Sequence, residues 1–234
     1  MIDLRNYFCV AVMVMLILSV SYSQNVFSTQ YSFTRNSLPV DKGEHYIAIN
    51  PIGPEVHLAI TRNFSAGFTS SVVAAPVIGN MRYTIPLDEK NNLGVGLTAG
   101  SIFYPKYAGF GTFFYGSFTW GDRDNNFNFS AGYVRIQGLG DHRHRKWNGP
   151  VFSLAGMTKI KEDAFFITEL LCFVENNNLH AELMPILRIT PTPKSAFQIG
   201  VGIIILDNSA ASTPVGTIGW FRTMNSKKNR KPKP

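Results

Sequence analysis

The chain has 234 residues, 45% of them hydrophobic and 16% charged, with a formal net charge of +7 and two cysteines. The modest hydrophobicity and the lack of a second long apolar run exclude a bundle of transmembrane helices, and two cysteines exclude a disulfide scaffold. Lys227, Lys228, Arg230, Lys231 and Lys233 supply +5 of the charge from the last eight residues, so the rest of the chain is near neutral and offers nucleic acid no basic face.

Residues 1–23 read as a secretory signal. Arg5 makes the basic start, residues 7–20 are apolar, and Ser21 and Ser23 put small residues at the cleavage positions before Gln24. The apolar core is shorter than the ~20 residues a membrane helix needs. Removing the signal leaves Cys172 as the single cysteine, a small hydrophobe in an apolar strand. Residues 24–42 form an N-terminal segment. Phe27, Thr29, Tyr31 and Phe33 alternate as a strand would, and residues 35–42 read as a loop held by Pro39.

From residue 43 to residue 224 the dominant signal is strict period-two alternation, the mark of β-strands, whose successive side chains project to opposite faces. The first strand region is 45–50. Pro51 and Pro54 then impose a turn or a kinked bulge, because a strand interior cannot lose two ladder donors. In 55–62, Val56, Leu58 and Ile60 face out while Glu55, His57 and Ala59 face in. In 64–72, Phe64, Ala66 and Phe68 alternate with Ser65, Gly67 and Thr69; in 77–86, Met81, Tyr83 and Ile85 oppose Asn80, Arg82 and Thr84.

The clearest stretch is 93–133. Leu93, Val95 and Leu97 oppose Gly94, Gly96 and Thr98; Phe110, Phe114, Phe118 and Trp120 oppose Gly111, Tyr115, Ser117 and Thr119; Phe127, Phe129 and Tyr133 oppose Asn128, Ser130 and Gly132. One face is large and apolar, the other small and polar. Residues 137–150 read as a longer irregular segment, and 151–160, 164–175, 179–190, 196–206 and 215–224 complete the strands. Residues 225–234 read as a disordered basic tail.

Large apolar side chains on one face and glycine on the other do not suit a soluble sandwich, which interlocks branched side chains from two sheets. They suit an all-β, antiparallel up-and-down membrane β-barrel with lipid outside and a narrow lumen inside, of about twelve strands, with ten the other candidate. A secreted, ligand-binding soluble β-barrel is the alternative.

The pieces Lys42-Gly43-Glu44-His45-Tyr46, Phe64-Ser65-Ala66-Gly67-Phe68, Gly121-Asp122-Arg123-Asp124-Asn125-Asn126 and Ser153-Leu154-Ala155-Gly156-Met157-Thr158 followed by Phe166-Ile167-Thr168-Glu169 are spread in order across the mature chain. On these the chain resembles a family of uncharacterised outer-membrane β-barrel-like proteins of Bacteroidota. The resemblance implies a bacterial outer-membrane location and no assigned activity. Barrels inserted by the usual assembly machinery tend to end on an aromatic residue, whereas this chain runs on past Trp220 and Phe221 into its basic tail.

The inward faces carry Glu55, His57, Arg82, Glu169, His180, Glu182 and Arg188. An Arg facing lipid at mid-depth costs ~2–4 kcal/mol, so these groups turn inward, where opposite charges pair. They are expected to brace or plug the lumen, or to line a conduit for small solutes. A lipid-modifying enzyme at the membrane rim is the other class of function. His180 and Glu182 lie two apart and face the same way, but no Gly-Xaa-Ser-Xaa-Gly elbow is present.

In the run 141–147, Asp141, His142 and His144 have a weak metal-ligand spacing that Arg143, Arg145 and Lys146 oppose electrostatically. The same arginines with Trp147 suit lipopolysaccharide phosphate or an anionic glycan. No cofactor fingerprint occurs. The expected partners are outer-membrane lipids, lipopolysaccharide and small solutes.

Overall fold

The computed structural model describes residues 27–31, 34–50, 53–70, 77–104, 107–139, 146–175, 178–205 and 212–224. The signal segment, the loop residues Asp141, His142 and His144, and the basic tail lie outside them.

Twelve strands form a closed barrel: Tyr46–Asn50 (β1), Gly53–Ala59 (β2), Phe64–Ser70 (β3), Val77–Pro86 (β4), Asn91–Tyr104 (β5), Tyr107–Gly121 (β6), Asn126–Gly138 (β7), Lys146–Lys161 (β8), Ala164–Glu175 (β9), Asn178–Thr192 (β10), Ser195–Ile205 (β11) and Ser212–Thr223 (β12). Each pairs antiparallel with its sequence neighbours, and β1 closes onto β12 with Tyr46 opposite Thr223 and Ile49 opposite Trp220. Closure removes the sheet edge, so the strands satisfy their backbone groups within the ladder, as hydrocarbon requires.

The pleat sorts the side chains as the alternation predicts. Val201 and Ile218 are each 68% exposed, while Gly96, Gly202 and Thr217 on the opposite face are buried. Phe114, Tyr133, Phe152, Phe197 and Ile199 join them in an outward apolar belt. A surface of this extent is far beyond the apolar patches that monomeric soluble proteins expose, and it fits the lipid-facing band of a transmembrane barrel of outer-membrane type.

The two ends of the barrel differ. β1 starts and β12 finishes at the end where the connections are 60–63, 87–90, 122–125, 162–163 and 193–194. The other end carries the two-residue connections 51–52, 105–106 and 176–177 together with the three longest ones, 71–76, 139–145 and 206–211. Short turns mark the periplasmic side of such barrels and longer loops the outer side. Two of the short turns close on an Asp side chain. The Asp88 carboxylate accepts from the Lys90 and Asn91 amides, each at 2.8 Å, and that of Asp122 accepts from the Asp124 and Asn125 amides, also at 2.8 Å. Gly121 enters the second turn at φ 117°, a left-handed backbone that suits glycine.

Two expectations are corrected. The alternating Phe27, Thr29 and Tyr31 do not form a strand. Phe27 to Thr29 turn, Gln30 makes one antiparallel bridge to Arg35, and the segment folds back inside the barrel, whose closed sheet leaves no edge to join. The run 137–150 is not irregular throughout: β7 continues to Gly138 and β8 begins at Lys146, with Arg135 opposite Asn148. Polar outward residues there mimic a loop, although a strand that rises past the lipid has the same composition. At the prolines, Asn50 lies opposite Gly53, which selects the turn of the two readings, turn or kinked bulge, that the sequence left open.

Candidate functional site

The lumen holds the N-terminal segment as a plug. Phe27, Ser28, Thr29, Gln30, Tyr31, Asn36, Ser37, Leu38 and Val40 are all buried. The chain rises from the short-turn end, turns near Thr34 and Arg35, and descends to β1. At its exit, Arg123 pairs with Glu44 at 2.8 Å, and Gly43 turns the chain at φ 87°.

Side chains of the wall grip the plug's backbone. Arg188 on β10 donates to the carbonyls of Phe27 at 2.7 Å, Gln30 at 2.6 Å and Tyr31 at 3.4 Å. Gln198 on β11 holds the same guanidinium at 2.8 Å, and the Phe221 ring lies 5.2 Å from it. Across the lumen, Arg82 on β4 donates to the carbonyls of Asn36 and Leu38. Glu169 on β9 accepts from the Thr34 amide at 2.7 Å and its hydroxyl at 2.5 Å. Ser37 donates its amide to the Thr119 hydroxyl at 2.7 Å and bonds the Ser117 hydroxyl.

The tip is charged. Arg35 forms an ion pair with Glu55 and donates to Nδ1 of His57 at 2.7 Å and to the Asn80 side chain at 2.9 Å. Asn50 also donates to Glu55 at 3.1 Å, so the carboxylate is shared between the plug and β1. His57 stacks on Tyr46 at 4.7 Å between ring centres, and the Tyr46 hydroxyl donates to Gln30 at 2.6 Å.

Apolar packing completes the seat. Tyr31 enters a cluster of Ala155, Met157, Phe165, Ile167, Met184 and Ile186; Phe27 enters another with Tyr46, Ala48, Ala196 and Phe221. The small, polar inner face read from 93–133 therefore does not extend to the whole lumen. On β8, β9 and β10 the inward residues are a hydrophobic socket for the plug, which explains why Glu169 sits on a strand apolar on both faces. Inward glycines leave the room. A Cβ at Gly94 would overlap the Ser37 hydroxyl, and one at Gly96 the Tyr115 ring.

Glu55, His57, Arg82, Glu169 and Arg188 thus meet around one segment, and their partners are on the plug more than across the wall. His180 and Glu182 also face inward, but they stand half-buried toward the loop end. There His180 stacks on Phe173 at 4.8 Å, and Trp147 meets Phe173 edge-on at 5.5 Å. The plug's Gln30, Thr34 and Arg35 had no sequence signature of their own. Their trace in the sequence is indirect: inward arginines on β4 and β10, and inward glycines that imply a tenant.

Above the plug, on the loop side, a cavity of about 210 Å³ remains. Its floor is Gln30, Thr34 and Arg35, and its walls include Asn80, Thr98 and Ser130 with Phe113 and Leu171. The barrel is therefore a cup: closed on the short-turn half and lined above by hydrogen-bonding and apolar groups together.

No protein-family model matches the sequence, and no curated protein does. Among solved structures the barrel is similar to the NanC porin, with a TM-score of 0.55, 17% identity, and coverage of 77% of this chain and 98% of that one. It is also similar to the KdgM porin, at TM-score 0.52 and 9% identity over 77% of this chain and 98% of that one. The same porin in complex with disordered oligogalacturonate gives 0.51 at 9% identity. The fold is that of outer-membrane porins.

Proposed function

We propose that the protein is a plugged small-solute pore of the bacterial outer membrane, exported through its signal segment, without catalytic activity. Its loop-side cup admits small polar solutes, and its own N-terminal segment closes the periplasmic half. The observation that carries this reading is the polar attachment of the plug. Arg82, Arg188, Glu169 and the Arg35–Glu55 pair hold it largely through hydrogen bonds that water can replace. A purely structural barrel has no need of a cavity above a separable segment. The porin fold supports the reading, and one neighbour's structure contains an oligosaccharide.

Planar-bilayer conductance tests it. Folded wild-type protein gives rare or small channel events. The double variant Arg82→Gln with Arg188→Gln, still heat-modifiable on gels, gives frequent and larger ones. Silent bilayers from both folded proteins refute the pore. Fractionation of whole cells tests the location, with recovery in the outer membrane as the expected result. Turnover of a lipid substrate that is lost in a folded His180→Ala variant would restore the enzyme reading.

A further inference from the structure

The outer face of the sheet carries an ordered set of rows where β6, β7 and β8 approach the loop end. In register across the three strands lie Phe114, Tyr133 and Pro150; one step higher Thr112, Arg135 and Asn148; and one step higher again Phe110, Gln137 and Lys146. Below them the rows are apolar, with Phe118, Phe129 and Leu154, then Trp120, Phe127 and Gly156. Arg135 and Lys146 are exposed, and neither forms an ion pair among the described residues. Among the described residues on the loop-side half of the outer face, these two are the charged ones, and no acid accompanies them.

Their depth is fixed by the strand. From Phe127 in the lower aromatic row to Arg135, β7 rises for eight residues. That is ~26 Å along the strand and ~20 Å along the membrane normal at a tilt of ~40°, close to the ~25 Å height of the apolar band of such barrels. Arg135 therefore stands at the upper boundary of the hydrocarbon, just above the exposed rings of Phe114 and Tyr133, and Lys146 stands ~5 Å further out. Diagonal neighbours on adjacent strands lie ~7–8 Å apart, a spacing that lets two cations converge on one phosphate group. The long-loop end marks this rim as the outer leaflet.

From this arrangement we infer that the lipid-facing surface of β6–β8 is a binding site for the phosphorylated headgroup of an outer-leaflet glycolipid. Arg135 and Lys146 clamp the phosphate, Thr112, Gln137 and Asn148 bond the sugar, and the aromatic rows below take the acyl chains. Arg supplies a planar fork of donors that suits phosphate, and among the described residues the pair has no counter-charge to displace. The site is independent of whether the lumen conducts.

The test reconstitutes the full mature chain in neutral phosphatidylcholine nanodiscs and measures retention of a bis-phosphorylated lipid A by native mass spectrometry. Dephosphorylated lipid A and phosphatidylglycerol are the comparison lipids. Wild type is expected to retain the phosphorylated glycolipid about thirtyfold better than its dephosphorylated form, from the usual contribution of two cations at an anionic surface. Arg135→Gln with Lys146→Gln abolishes that preference, while Lys194→Gln at the opposite end keeps it. Both variants fold, since both sites lie on the exposed surface, and heat-modifiable mobility verifies it. Equal retention of the two glycolipid forms, a preference that survives the double variant, or phosphatidylglycerol held as tightly as lipid A overturns the assignment.

Discussion

Removing the Arg188 guanidinium isolates what holds the plug. In Arg188→Ala the strand ladder around β10 is untouched, because the side chain contributes nothing to it. What changes is the plug: the carbonyls of Phe27 and Gln30, bonded at 2.7 and 2.6 Å, lose the guanidinium in a buried site, and only that of Phe27 keeps a backbone donor, the Gln30 amide at 3.3 Å. An orphaned buried acceptor costs about 1–3 kcal/mol, so the undocked population rises ~5-fold or more. Hydrogen exchange with mass spectrometry on reconstituted protein reads this directly. Amides of residues 34–40 are expected to lose protection while those of β9 and β10 keep it. Arg188→Lys, which supplies a point charge in place of a planar fork, is expected to fall between the two. Unchanged protection of the segment in Arg188→Ala and in Arg82→Ala refutes the idea that these arginines clamp it.

Other substitutions probe separate parts of the account. Gly94→Val is expected to unseat the descending arm by ~1–3 kcal/mol, because its side chain overlaps Ser37, and the protection of the Ser37 amide reports it. Gly79→Ala, with the nearest atom 3.9 Å from the added Cβ, is expected to leave the same amide unaffected. Val201→Arg on the outer face is expected to cost up to ~2–4 kcal/mol in urea unfolding from lipid vesicles, since its 68% exposure is to hydrocarbon. The Asp88 carboxylate is held below its ordinary pKa by hydrogen bonds from the Asn91 side chain and from the Lys90 and Asn91 amides. The turn between β4 and β5 is therefore stabilised above the ordinary carboxylate pKa and loses that contribution as pH falls through the lower folded value. Amide exchange of Asn91 followed against pH checks this, and Asp88→Asn is expected to flatten the profile.

Much of the barrel was legible because its determinants are local. Strict alternation in 93–133 places Phe114 and Tyr133 on one face and Tyr115 and Gly132 on the other, whatever the neighbours are. The polar turns at Asp88 and Asp122 carry their own chemistry and mark strand ends. The plug was not legible, since its determinants are remote in sequence: Thr34 bonds Glu169, and Tyr31 bonds Asn126. A buried segment that meets an already closed sheet needs no period of its own, so Phe27, Thr29 and Tyr31 imitated a strand. The socket misled in the same way. Phe165 and Ile167 make the strand of Glu169 apolar on both faces, although its inner face serves a tenant that no local pattern reveals. The inward direction of Glu55, Arg82, Glu169 and Arg188 followed from the pleat, whereas their shared ligand did not.

Nitroxide scanning of positions 197–203 on β11, in a Cys172→Ser background in lipid vesicles, tests the orientation on which the whole account rests. Collision with oxygen, which partitions into lipid, is expected to peak at 197, 199, 201 and 203, with the intervening sites shielded from both oxygen and a water-soluble nickel chelate. Nickel accessibility at the odd positions, or the absence of a two-residue period, contradicts a barrel with lipid outside and its own chain within.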